Sequence, residues 1–440
     1  MNNVYPDQSS ESASLYKRAT RVLPGGNTRH GVHFAPYPIY QATGDGCRIM
    51  DVDGVERIDF VNNWSSLIHG HANKAITAAI VAQSGKLMAI GAPTEAELEF
   101  AELFAERVPG IDQIRFSNSG TEAVLMAIRA AHAYTGRAKI AKVEGAYHGK
   151  IDSVSISISP SPEVWGDAAA PASVPAFDGI PPRVLDDTIV LPFNDVESTR
   201  NLISRNADEL AAVLIDPLVS RMAFVPASAE YLTMIRELTR EKGIMLIFDE
   251  VFSFRLGYHG AQAVVGITPD LTALGKVIGG GLPVGATGGS AEVMSVFDGS
   301  GGQPRVEHAG TYNANPMTMA AGLACMRQLT PDAYERLQTL GERLREGLRE
   351  ALKIAGLSGQ VLGQGSLVAL AFNDRPFTNF REMQKGPKEN QAIISLHRYL
   401  LNNGVQIVPS GSFILSTPMT EADIDFTLEK VLAGMREIDK

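Results

Sequence analysis

Only two cysteines, Cys47 and Cys325, occur in this chain, too few for a disulfide framework and without the CxxC spacing of zinc or redox sites. Both are expected to be reduced and structural, and no metal site is expected. Long apolar runs are also missing: the longest covers about six letters, Leu210 to Ile215, where about 18 are needed to cross a bilayer. Met1–Ser10 is polar and lacks the basic and apolar regions of a secretory leader, so a soluble cytoplasmic protein is expected. Positive charge is in short supply, with 39 Lys and Arg against 49 Asp and Glu and a net charge of −10. That sign disfavours nucleic-acid backbones and anionic membranes as partners, while leaving room for a local pocket that holds one small anion.

What is present is an ordinary globular composition, 45% hydrophobic and 20% charged, over 440 residues. At about 150 residues per domain, two or three domains are expected. The 42 glycines follow no collagen period and fill no Gly/Ser linker, so each needs a specific place.

The N-terminal part reads as a short helix over Ser12–Val22, a Pro24–Gly25–Gly26 breaker and antiparallel hairpins between Ile39 and Phe60, around Asp51–Val52–Asp53–Gly54. Helical periodicity begins near Ile76 and recurs over Ala96–Val108. Short apolar runs then alternate with helices. The runs are Ile140–Val143, Ala212–Ile215, Ile244–Phe248 and Leu271–Leu274; the helices include Thr121–Tyr134, Ala229–Glu241 and Pro316–Leu329. Such alternation predicts an α/β fold with a mostly parallel sheet covered on both faces. Ser157–Arg183, rich in Ser, Pro and Ala, reads as a long surface loop over the sheet edge. After a charged helix over Asp332–Ala355 come two strand-like pieces, Ser366–Phe372 and Gln406–Ser416, and a helix from Glu421. The division expected is a large α/β domain over residues 71–329 and a smaller α+β domain built from residues 1–70 and 330–440.

Several segments could carry chemistry. Ser119–Gly120–Thr121 opens an alanine-rich helix whose free N–H groups could seat a phosphate, although Ser119 with Glu122 also has the capping-box spacing. In Gly145–Ala146–Tyr147–His148–Gly149 the aromatic ring could lie over a planar ligand, or the pair could simply build a turn. The buried run Ile244–Phe248 ends in Asp249, and strand alternation would put Val251 on the same face. One carboxylate beside a small apolar wall suits a heteroaromatic ring, while a loop-capping carboxylate would look the same. Lys276 follows another buried run and precedes Gly279–Gly280–Gly281. Burial should lower its pKa, as a Schiff-base lysine requires, unless the side chain snorkels to the surface. Gly310–Thr311–Tyr312–Asn313 offers a further hydroxyl and N–H cluster, or an ordinary cap.

In this order the motifs resemble the class III aminotransferases, fold-type I enzymes that use pyridoxal 5′-phosphate. The likeness covers nearly the whole chain and is greatest to the glutamate-1-semialdehyde aminomutase group, through Gly91–Ala92–Pro93–Thr94–Glu95, Asn118–Ser119–Gly120–Thr121–Glu122–Ala123, Gly145–Ala146–Tyr147–His148–Gly149, Asp249–Glu250–Val251 and Gly275–Lys276–Val277–Ile278–Gly279–Gly280–Gly281–Leu282–Pro283. The resemblance implies that Lys276 is the Schiff-base lysine and proton shuttle and that Asp249 pairs with the pyridine nitrogen. It implies Tyr147 and Val251 on the ring faces, with His148 among the cofactor-binding residues. Ser119, Gly120 and Thr121 would hold the phosphate. Thr311 would come from a second subunit, which makes a homodimer with shared sites the minimum assembly. Trp64 and Arg29 resemble mutase positions, yet Pro409–Ser410–Gly411–Ser412–Phe413–Ile414–Leu415–Ser416 lacks the carboxylate those enzymes carry there. Asn27–Thr28–Arg29 followed by Phe34–Ala35–Pro36–Tyr37–Pro38 is similar to some β-amino-acid aminotransferases, with Arg29 as a carboxylate clamp and Trp64 also at the substrate. Those enzymes often carry a C-terminal arginine that Ser410–Gly411–Ser412 does not supply. Arg221 departs from the usual family pattern and is another possible specificity residue. The expected activity is transfer of an amino group from an amino donor, preferably a β-amino acid, to a keto acid. The alternatives are a glutamate-1-semialdehyde 2,1-aminomutase and, from another class, a noncatalytic phosphate- or nucleotide-binding α/β protein.

Overall fold

The apolar runs of the middle chain become one seven-stranded sheet in the computed structural model, which describes residues 4–373 and 375–438. Its strands are β1 (Gln113–Ser117), β2 (Lys139–Val143), β3 (Thr188–Leu191), β4 (Leu210–Ile215), β5 (Met245–Asp249), β6 (Leu271–Gly275) and β7 (Gly285–Gly289), in the spatial order β1-β7-β6-β5-β4-β2-β3. From β6 to β3 every neighbouring pair is parallel. All residues of β4, β5 and β6 are buried, as a sheet covered on both faces requires. The fold is α/β, as the alternation of strands and helices indicates.

One helix fixes the geometry of the strand ends. Helix α1 (Gly120–Thr135) has the Ser119 hydroxyl as N-cap acceptor for the Glu122 N–H and ends on Gly136 in the left-handed region, φ 72°. Its inward face is Ala123, Ala127, Ala130 and Ala131, so the helix lies close on the sheet, and the Thr287 hydroxyl donates to the Ala123 carbonyl at 2.8 Å. The capping box is altered: the Glu122 carboxylate accepts from the Asn118 N–H at 2.6 Å and not from that of Ser119.

The sequence does not announce β7. Its residues Gly-Ala-Thr-Gly-Gly read as loop, yet the strand runs antiparallel between β1 and β6, second from the edge of the sheet. Close approach explains the composition. A Cβ on Gly285 would lie 2.0 Å from the Ser119 carbonyl oxygen, one on Gly288 would meet the Ile111 side chain at 2.8 Å, and one on Gly289 would meet the Asp270 carbonyl oxygen at 2.6 Å. Strand propensity is overridden by the need for bare backbone.

The structure divides into two compact units. The larger comprises Lys74–Glu335 and Pro376–Gln384; the smaller takes the chain up to Asn73, Arg336–Arg375 and the chain from Lys385. Residues 376–384 thus go with the large sheet and not with the C-terminal segment where the sequence reading placed them. The Arg381 guanidinium accounts for this by donating to both oxygens of the buried Glu144 carboxylate, at 2.8 and 3.0 Å, and to the Trp165 carbonyl. The segment 157–182 crosses the edge as a loop, and the Ser173 hydroxyl donates to the Thr188 carbonyl of edge strand β3 at 2.6 Å.

In the smaller unit, antiparallel strands Gln41–Asp45, Arg48–Asp51 and Glu56–Asp59 gain Val405–Gln406 as a parallel neighbour. A second sheet holds Gln360–Leu362, Leu367–Ala371 and Ser412–Ile414. The expected single piece Gln406–Ser416 is therefore two short strands in different sheets. A turn separates them, in which Gly411 has φ 97° and its N–H donates to the Val408 carbonyl at 2.9 Å. Both cysteines are buried and outside any disulfide, and among the described residues no helix is long and apolar enough to cross a membrane.

Replacing Gly285 by Ala should lower stability by about 1–3 kcal/mol in urea unfolding, since the added carbon meets backbone. Gly301→Ala, into open space, should change it little. Equal effects at both positions would contradict this account of β7.

Candidate active site

Three strand ends in the larger unit lie side by side, because Gly275 of β6 pairs with Gly285 of β7 and Gly285 with Ser117 of β1. The chain leaves β1 through Asn118 and Ser119 into α1, and leaves β6 directly into Lys276. The start of α1 is packed against this edge: the Gly120 Cα would lie 3.4 Å from a Cβ on Gly275. A Cβ on Gly120 itself would lie 2.7 Å from Val251 Cγ1. Only glycine lets the first turn of the helix, with its unpaired N–H groups, sit so close to the strand ends. Thr121 completes this corner, its Oγ1 lying where a Cβ on Gly149 would come within 2.7 Å.

On β5, Asp249 is 5% exposed. Its Oδ1 accepts from the Val251 N–H at 3.0 Å, and its Oδ2 is 2.8 Å from His148 Nδ1. Because β5 ends at Asp249, this Asx-type turn places Val251, and strand alternation does not. Burial pushes the pKa of His148 down, against the pull of Asp249, so the ring is neutral and donates from Nδ1. His148 Nε2, buried without a partner, is then a bare lone pair, which costs less than an unpaired N–H⁺ would.

Lys276 has φ 51°, a left-handed conformation that is strained for a lysine. Its Nζ lies 4.4 Å from the centre of the Phe252 ring. Burial pushes its pKa down to about 8, although Asp249 and Asp216 both pull it up. Asp216 is a site residue that the sequence reading overlooked. Ile215 pairs with Phe248, which puts Asp216 opposite Asp249 on the adjacent strand. Burial, followed by the Asp249 charge, holds its carboxyl well above the usual range. The signal was available: the apolar run of β4 ends in an acid just as that of β5 does.

Tyr147 is 38% exposed, with Lys150 Nζ 5.7 Å from its ring centre. The exposed Thr311 lies in the turn before the helix Pro316–Gln328. That turn is tied to the start of α1 by a hydrogen bond from Asn118 Nδ2 to Asn313 Oδ1, at 2.9 Å. The structure thus brings Ser119, Gly120, Thr121, His148, Asp249, Val251 and Lys276 to one edge of the sheet.

Arg29 and Trp64 belong to the smaller unit. There Arg29 Nη1 donates to Asn63 Oδ1 at 2.9 Å, and Trp64 adopts φ 56°. Both line a cavity of about 710 Å³ together with Asn63, His71 and His397.

The lowered pKa of Lys276 carries a sign. Below pH 8 the lysine is charged in folded and unfolded chains alike, and the folded state bears the full cost of burying it. Between 8 and the ordinary 10.5 the unfolded chain binds more protons, so stability rises with pH. Trapping of a small aldehyde on Nζ by borohydride should likewise be half-maximal near pH 8 in the cofactor-free protein. That step should vanish in Lys276→Ala. A midpoint at the ordinary lysine value would refute the assignment.

The chain matches the family described as aminotransferase class-III over residues 31–431. It is 41% identical, over 98% of its length and 99% of the relative's, to a protein named glutamate-1-semialdehyde 2,1-aminomutase 2 from Halalkalibacterium halodurans. An omega-transaminase from Sphaerobacter thermophilus superposes with a TM-score of 0.98 at 50% identity, with both chains covered completely. A β-phenylalanine aminotransferase from Variovorax paradoxus superposes with a TM-score of 0.85 at 35% identity, over 96% of this chain and 93% of the other. The chain belongs to the class III aminotransferase family, the fold-type I transaminases that depend on pyridoxal 5′-phosphate.

Proposed function

We propose that this transaminase moves an amino group from an amino acid, with β-amino acids preferred, to a keto acid, with its chemistry at the strand-end edge that carries Lys276 and Asp249. The observation that carries the reading is a strained lysine whose pKa is pushed down to about 8 beside the Asp249 charge. A lysine of this kind is a nucleophile and base near neutral pH. The residues fit the cofactor: a glycine-bared helix start for a phosphate, a buried carboxylate for a ring nitrogen and an amine for an aldehyde. When bound, pyridoxal 5′-phosphate supplies an electrophilic carbon and a ring that accepts the electrons of a deprotonated carbon.

Lys276 Nζ would hold the cofactor through its aldehyde carbon and, as a free amine, would take the proton from the substrate carbon. Asp249, oriented by the His148 N–H, would pair with the ring nitrogen. The hydroxyl and N–H groups of Ser119, Gly120 and Thr121 would hold the phosphate. Tyr147 and Val251 would contact the ring, and Thr311 would serve the phosphate of a second copy in a homodimer. Arg29 binds the substrate carboxylate through its planar guanidinium, with Trp64 beside it. The preference for β-amino acids rests on Asn27–Thr28–Arg29 with Phe34–Ala35–Pro36–Tyr37–Pro38 and on the 35% identity to the Variovorax β-phenylalanine enzyme.

The second reading, an aminomutase acting on glutamate 1-semialdehyde, draws on the 41% identity to the Halalkalibacterium protein. The turn Pro409–Ser416, without a carboxylate, speaks against it.

A panel of α-, β- and ω-amino donors with pyruvate and 2-oxoglutarate should give the highest kcat/KM for a β-amino acid. Conversion of glutamate 1-semialdehyde to 5-aminolevulinate without any keto acid would instead establish the mutase. Arg29→Ala should raise KM for a carboxylated donor by about tenfold or more, the worth of a charge-assisted hydrogen bond. An unchanged KM would remove Arg29 from the site.

A further inference from the structure

Phe252 follows Val251 at the exit of β5 and lies in the same unit as Lys276. It is 8% exposed, and the Lys276 Nζ stands over its ring, 4.4 Å from the centre. At that distance the negative face of the ring attracts an ammonium. The ring is held in turn by the buried Phe224, stacked on it with centres 5.5 Å apart and planes inclined by 22°. Phe224 is presented by two consecutive left-handed residues, Ala223 at φ 51° and Phe224 itself at φ 62°. Neither residue takes that conformation without strain.

The charged groups around Lys276 leave a distinct part for this ring. Burial lowers the lysine pKa, Asp249 at the end of β5 and Asp216 after β4 pull it up, and Arg255, in the turn Ser253–Leu256, pushes it down. Among the described residues no carboxylate lies within ion-pair distance of Nζ. The Asp249 oxygens are taken up by the Val251 N–H and by His148, and Asp216 Oδ1 accepts from the Leu218 N–H at 3.2 Å. The group in contact with the amine is thus the ring. A ring face attracts the charge but has no lone pair with which to take the proton, whereas a carboxylate in contact could remove it.

We infer that Phe252 is a positioning residue for the reaction, its ring face receiving the Lys276 ammonium whenever the amine is free and carries a proton. The inference rests on the proposed function, which makes Nζ the base at the substrate carbon. There the Nζ lone pair takes the proton, and the electron pair of the broken C–H bond stays on the substrate side. The positive charge appears on Nζ, where the ring meets it. Delivery of the same proton to the accepting carbon restores the neutral amine. A contact that favours the charged form holds a lysine pKa up, so weakening the ring face should lower it.

Phenylalanine analogues with one, two or three ring fluorines, introduced at position 252 of the full chain, drain the negative face while leaving its shape nearly unchanged. In the cofactor-free protein, the midpoint of the aldehyde-trapping step that Lys276→Ala removes should fall stepwise along this series. The whole fall should be about one pH unit, tenfold in proton affinity. Phe252→Leu should match the end of the series. In the pyridoxal-phosphate-loaded enzyme, kcat for an amino donor should decline in the same order, with KM little changed. A midpoint that stays constant along the series would overturn the inference. So would a shift seen in Phe252→Leu alone, which would assign the effect to packing. Failure of the underlying reading looks different: borohydride would fix the bound cofactor on a lysine other than Lys276. In that case the fluorine series, read on the small aldehyde, still decides whether Phe252 holds the Lys276 charge.

Discussion

A carboxylate placed at the end of a fully buried strand is costly unless N–H groups and cations meet it. Asp249 is in that position, and the rest of the site is arranged around its charge. Two N–H groups reach its oxygens, one from the Val251 backbone and one from His148. Burial and the neighbouring Asp249 together raise the pKa of Asp216 across the strand pair. Lys276 is the nearby cation, and burial weakens its hold on the proton even in this company. Burial lowers the pKa of His148 and of Lys276 against the pull of Asp249, and raises that of Asp216 with the help of Asp249. Burial sets all three, and Asp249 reinforces it only at Asp216.

Backbone proximity makes the arrangement possible. The edge where β1, β6 and β7 end has no room for side chains: Gly275 pairs with Gly285, the Ser119 carbonyl fills the space beside Gly285, and Val251 fills the space beside Gly120. Bringing the N–H groups of α1 to the strand ends therefore requires glycine in three separate stretches of sequence. The left-handed conformation of Lys276 costs about 1–3 kcal/mol. The glycine content of the chain follows in part from this one edge, and the antiparallel strand β7 is its most complete expression.

These constraints decide what could be read in the sequence. The strands β2, β4, β5 and β6 and the helix α1 are legible because burial on both faces writes an uninterrupted apolar run, and a Ser cap writes a helix start. Lys276 and Asp249 are legible for the same reason, as charged residues directly after such runs. β7 is illegible because its residues answer to neighbours far away in sequence, Ser119, Ile111 and Asp270, and glycine carries no strand signal. The grouping of 376–384 with the large sheet is equally hidden, resting on the Arg381 fork around a glutamate more than 200 positions earlier. Asp216 was legible by the Asp249 rule. Its place beside Asp249 follows only from the register that puts the two acids side by side.

The chemistry of this edge does not choose a substrate. Relatives named for a semialdehyde mutase, an omega-transaminase and a β-phenylalanine aminotransferase match this chain at 41%, 50% and 35% identity, each across at least nine-tenths of its length. Whole-chain likeness therefore does not rank the three activities. Lowering the pKa of a lysine and orienting a carboxylate serve any amine that reaches them. Discrimination has to come from groups that touch what differs between substrates, namely the number and spacing of carboxylates and the bulk of the side chain. Guanidinium groups not already neutralised by the protein are the ones free to do this. Arg29, bonded to an asparagine amide, and Arg221, bonded to a serine hydroxyl, are both of that kind. An arginine held by a neutral partner keeps its charge available for a ligand, so each of these groups can discriminate by charge within its own unit.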